Sequence, residues 1–175
     1  MDKNEYIMSE SIILLKELLY DVKFHKQFIE YELFDKIVNY FNENSKYMVN
    51  LSHSPKTVEV FQNICEFLVE TSKLSNLHGE LIGEGIIPIL LNLLNLTRVE
   101  EILLPILAFI YFISENKIAR EELIDSRDLD CIVNLIDQSS LFPKLSLAAE
   151  ECFIRLGGMY SLFSLFFFCD KYNCD

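Results

Sequence analysis

Leu81-Ile82-Gly83-Glu84-Gly85-Ile86-Ile87-Pro88-Ile89-Leu90-Leu91-Asn92-Leu93-Leu94 is matched without a gap by two other stretches of the same chain. One is Phe28-Ile29-Glu30-Tyr31-Glu32-Leu33-Phe34-Asp35-Lys36-Ile37-Val38-Asn39-Tyr40-Phe41. The other is Leu123-Ile124-Asp125-Ser126-Arg127-Asp128-Leu129-Asp130-Cys131-Ile132-Val133-Asn134-Leu135-Ile136. In each, an apolar pair is followed at a fixed distance by a second apolar pair, then Asn, then two more large residues. The motifs start at residues 28, 81 and 123, so the period is 53 and then 42 residues. A period near 40 is the mark of stacked helical repeats.

A second pattern follows each motif. Val60, Ile64, Phe67 and Leu68 recur as Ile102, Ile106, Phe109 and Ile110, then as Leu145, Ala149, Cys152 and Phe153. The shared offsets 0, +4, +7 and +8 make one buried stripe on a helix. Ile113 and Leu156 extend it at +11, with Thr71 in that place in the first repeat. Each unit is therefore a short helix, a tight bend, a middle helix and a long inner helix. No such helix buries its apolar side alone, so the units must stack.

The expected fold is all-α. Residues 1–23 form an N-terminal half-repeat or cap, with a frayed acidic start and a helix from Ser11, as its cap, to Tyr20. Repeats follow at 24–72, 77–114 and 119–156, and a hydrophobic segment at 157–175. Residues 42–56, rich in Asn and Ser and closed by Pro55, read as a loop that absorbs the longer first period. The helix after it is expected from about Thr57 to Ser72.

Composition narrows the function. The 175 residues are 51% hydrophobic and carry only 5 Gly and 4 Pro, which excludes a disordered chain despite a net charge of −12. That charge argues against nucleic acid, whose phosphates need clustered Lys and Arg, and against anionic lipid. Leu103–Ile113 and Met159–Cys169 are apolar runs of 11 residues, short of the ~20 that span a bilayer. Residues 1–10 lack a secretory pattern. The five scattered cysteines are thus expected as reduced thiols, in an intracellular, cytoplasmic protein with a nuclear location left open.

Residue patterns for chemistry are sparse. His25, His53 and His78 stand alone, and the C-x4-C pair Cys169/Cys174 has no second pair to complete a zinc site. Gly83-Glu84-Gly85 is only a fragment of a dinucleotide fingerprint. Glu100-Glu101 and Glu121-Glu122 fall in or beside first helical turns, where the dipole favours them. No catalytic residue, metal or cofactor is expected, and the chain is not expected to be an enzyme.

Gly85 to Leu94, followed by Val99 to Ser114, resembles an armadillo repeat. In that family Gly opens the middle helix, Pro sits in its first turn and a Leu-rich run follows; Pro105 also looks like a feature of the importin-α branch. Arg127 stands in the third unit where Gly85 does in the second. The resemblance implies a right-handed α-α superhelix of about three repeats, whose long third helices line a groove for extended peptides. Its Trp and Asn ladder positions correspond here to Glu66 and Glu70, Ala108 and Phe112, and Glu151 and Arg155. None is Trp or Asn, which speaks against a receptor for nuclear-localisation signals.

The function implied is a protein-interaction module, an adaptor or scaffold that binds a basic or mixed protein segment at those six positions. A second candidate surface is Phe166, Phe167 and Phe168 in the terminal segment. These rings either fold back on the last repeat, form a homo-oligomer or partner interface, or mark a truncated form. The alternative function is accordingly a structural or regulatory subunit held through its hydrophobic C-terminus.

Overall fold

The computed structural model describes residues 3–45, 55–125, 129–138 and 140–157, and among these it is all-helical, without a strand. Helix α1 spans Lys3–Leu18. It is followed by α2 (Lys23–Glu30), α3 (Leu33–Asn44) and α4 (Pro55–Ser72). Next come α5 (His78–Gly83), α6 (Ile86–Leu96) and α7 (Glu100–Ile113). The last three are α8 (Lys117–Asp125), α9 (Leu129–Ile136) and α10 (Pro143–Gly157). Pro55 and Pro143 open their helices, where a missing N–H costs nothing.

The long helices pack in chain order: α4 lies against α1 on one side and α7 on the other, and α7 against α4 and α10. A second row repeats this one, with α6 between α3 and α9. The core runs continuously along both rows. Val60, Ile64, Phe67 and Leu68 are fully buried, as are Ile102, Ile106, Phe109, Ile110 and Ile113. In the third unit Leu145, Ala149, Cys152 and Leu156 are buried, but Phe153 is only half-buried. The stripe narrows there because α10 has a described neighbour, α7, on one side only of the long-helix row. The first unit fills its core with rings: Phe41 packs on Phe61 at 5.2 Å and Phe28 edge-on to Phe67 at 6.2 Å. Units two and three have Leu or Ile in the places of Phe28 and Phe41, whereas Phe67 is matched by Phe109 and Cys152.

Two expectations for the N-terminal part need correction. The helix starts at Lys3, not at Ser11, and Ser11 is no cap: its hydroxyl donates back to the carbonyl of Ile7 at 2.7 Å, as Ser does mid-helix. The first half of α1 is held because buried Ser9 donates to Glu59 of α4 at 2.9 Å and accepts from Asn63 at 2.8 Å. The connection after the first motif is also shorter than expected, since helix continues to Asn44 and resumes at Pro55. Glu121 and Glu122 lie within α8 beyond its first turn, Glu121 pairing with Lys117 at 3.6 Å.

One polar contact repeats with the units. The last carbonyls of a helix have no intrahelical partner. His25 Nε2 meets the Leu19 carbonyl at 2.8 Å, and His78 Nε2 meets that of Ser72 at 2.7 Å. Arg120 donates to the Ser114 carbonyl at 3.4 Å. All three residues stand three places before their motif, and each reaches six residues back to the end of the preceding long helix.

Candidate functional site

The six candidate positions on α4, α7 and α10 share two offsets from the buried stripe. Glu66, Ala108 and Glu151 are at +6, and Glu70, Phe112 and Arg155 at +10. At about 100° per residue these offsets lie roughly 100–140° round from the stripe, on a partly exposed face. Because the three helices stand side by side, the positions form a grid across that face.

Two clefts cross it. One, of about 350 Å³, lies among α1, α4 and α7 and is lined by Lys16, Glu66, Glu70, Pro105 and Ala108, with Val69 and Leu104. The other, of about 470 Å³, lies between α7 and α10, with Ala108, Tyr111, Phe112, Ala148 and Glu151 in its wall. Leu104 and Ala108 belong to both, so the clefts adjoin. The structure therefore brings five of the six positions together. Arg155 stands at the edge, its guanidinium 4.2 Å from the centre of the Tyr111 ring and paired with Glu115 at 2.6 Å.

The floor is apolar for local reasons. Ala108 has no bulk to fill the space between long helices, and Pro105 has no N–H to give the Glu101 carbonyl one turn earlier. The rim is charged, and most of its charges are matched. Glu66 accepts from Lys16 at 2.6 Å and from Gln62 at 2.9 Å. Burial disfavours the ionised Glu66 carboxyl, but these two donors and the Lys16 charge outweigh it and hold its pKa below the ordinary value. Glu70 pairs with Lys73 at 2.7 Å, and Lys73 also sits 5.3 Å over the Phe112 ring. Glu151 alone of the three carboxylates has no cation partner among the described residues.

The face is therefore apolar with a nearly balanced rim, in which Lys16 and Lys73 join the three carboxylates and Arg155 of the repeat alignment. Lys16 was out of reach of that alignment because it belongs to α1, ahead of the repeats. Lys73 carried a signal, since Glu70 and Lys73 have the i, i+3 spacing of a helical ion pair. Phe166, Phe167 and Phe168 lie outside the described residues.

Elsewhere the chemistry is quiet. Cys65, Cys131 and Cys152 are buried. Burial, with Glu151 nearby, pushes the Cys152 thiol up to about 12, so it stays protonated at neutral pH and donates to the Leu107 carbonyl at 3.0 Å. Among the described residues no three His, Cys, Asp or Glu side chains converge as a metal site needs, and no single helix is long and apolar enough to cross a membrane. No family model, no curated protein and no solved structure matches the chain.

Proposed function

We propose that this chain is an armadillo-like right-handed solenoid that works as an intracellular protein-interaction module, binding a partner segment across the long-helix face without a cofactor. The observation that carries this reading is the pair of adjoining clefts sharing Leu104 and Ala108. Their apolar floor suits large side chains, while the rim of ion pairs gives orientation more than affinity. Glu151, without a cation partner among the described residues, favours a segment with one Lys or Arg placed beside the second cleft. The armadillo-like arrangement is supported by the order in which α1, α4, α7 and α10 pack, and by the parallel row α3, α6 and α9.

Affinity capture with mass spectrometry tests the reading. Ala108→Arg fills the wall common to both clefts, and Asn92→Arg places the same charge on exposed α6 as a control. Proteins captured by the wild type and by Asn92→Arg should be missing from Ala108→Arg, with helicity and melting unchanged. Identical capture by all three proteins would place the binding surface elsewhere.

A further inference from the structure

The first edge of the helix stack carries a surface distinct from the clefts. Helices α4 and α7 each lie between two long helices, whereas α1 has only α4 beside it in that row among the described residues. On its outward side Ile7 and Leu14 are 52% and 65% exposed. With half-buried Leu18 they form one stripe along the helix. Leu18 also opens into a cleft of about 190 Å³ walled by Leu15, Phe24 and Leu33. Alongside the stripe run Glu10 and Glu17, both exposed, seven residues apart and without a cation partner among the described residues. Seven residues of helix place them about 10 Å apart along the axis.

We propose that this edge docks an amphipathic helix of a partner protein, with apolar residues at i, i+4 and i+7 and Lys or Arg seven residues apart along one flank. The shape follows from the row: α1 receives α4 as a helix on its inner side, and its outer stripe has the same periodicity. The charge follows from Glu10 and Glu17, which would meet the basic pair while Ile7, Leu14 and Leu18 cover the apolar stripe. A second copy of this chain is the poorer occupant. Two α1 edges brought together antiparallel would set Glu10 and Glu17 of one copy against the same pair of the other, and Lys16 of α1 is already engaged by Glu66.

Fluorescence anisotropy with two synthetic helical peptides tests this on the full chain. Both peptides carry the same Leu stripe; one is flanked by Lys at i and i+7, the other by Glu. The Lys peptide should bind the wild type and lose tenfold or more in affinity to Leu14→Glu, whose side chain is exposed and leaves the fold intact. It should lose a similar factor to the double variant Glu10→Lys/Glu17→Lys, which should in turn prefer the Glu peptide. Affinity for the Lys peptide within twofold of wild type in Leu14→Glu overturns the proposal, as do peptides that bind both proteins alike. A wild-type chain that is dimeric by light scattering, and monomeric as Leu14→Glu, makes the second copy the occupant and overturns it too.

Discussion

Glu32 and Gly85 take the same place in successive repeats, and both adopt the left-handed helical conformation, with φ of 52° and 71°. Each joins a short helix to a middle one, and neither contributes a side-chain cap. The bend is thus one backbone solution used with two residues. Gly adopts it freely, whereas an L-residue with a Cβ pays about 1–2 kcal/mol.

Glu32→Gly should therefore raise stability by about 0.5–1 kcal/mol, the relieved strain being partly offset by the greater freedom of Gly in the unfolded chain. Gly85→Ala should lower it by about 1 kcal/mol through the backbone alone, because an added Cβ would have Pro88 Cγ as its nearest neighbour at 4.0 Å. Urea titrations of both variants decide the matter; a destabilised Glu32→Gly would show that the Glu side chain earns its place by some contact.

The repeated tie from each short helix should matter unequally. His78 and the Ser72 it bonds are both buried, and His25 is buried likewise. His78→Leu leaves the Ser72 carbonyl without its partner and should cost about 1–3 kcal/mol. The Arg120 bond is longer, at 3.4 Å, and more exposed, so Arg120→Ala should cost less than about 1 kcal/mol. Thermal melts that rank Arg120 above His78 would contradict this order.

The sequence carried the core and not the cross-links. Ile102, Ile106, Phe109 and Ile110 were legible because a helix of fixed pitch turns spacing into a stripe, and all four are buried. The start of α1 was not, because what holds it is Ser9 bonding Glu59 and Asn63, about 50 residues away. The Lys16–Glu66 pair was hidden for the same reason. The histidines occupy a middle case: each read alone as a bystander, yet their shared position three residues before a motif was there to be seen. As for the candidate face, repeat offsets brought its residues together, but only the packing of α1 and the turn after α4 supplied the cations that match them.

The centre of the stack gives the sharpest test of packing. Phe109 is fully buried on α7, between α4 and α10, and Phe109→Ala should cost about 3–5 kcal/mol. Phe153, one place further along the same stripe in its own repeat, is half-buried and should cost about half of that. Equal losses in a denaturant titration would mean that the third unit is packed as tightly as the second.

The last prediction concerns acid. The Glu66 pKa lies below its ordinary 4.5 in the folded chain: burial works against ionisation, but the hydrogen bonds from Lys16 and Gln62 and the Lys16 charge prevail. A carboxyl with a depressed folded pKa binds fewer protons folded than unfolded. Its contribution is therefore complete above about pH 4.5 and fades as pH falls through the folded value. Both side chains keep about a third or less of their exposure, 26% for Lys16 and 35% for Glu66, so solvent screens the pair and its worth is up to about 1 kcal/mol. Glu66→Gln should thus be slightly less stable than wild type at pH 7, and the gap should be narrower at about pH 4, below the ordinary carboxyl value. Urea midpoints at the two pH values measure this directly. A gap unchanged by acid would mean that Gln is disfavoured by packing at the cleft rim, and that the ion pair with Lys16 adds nothing.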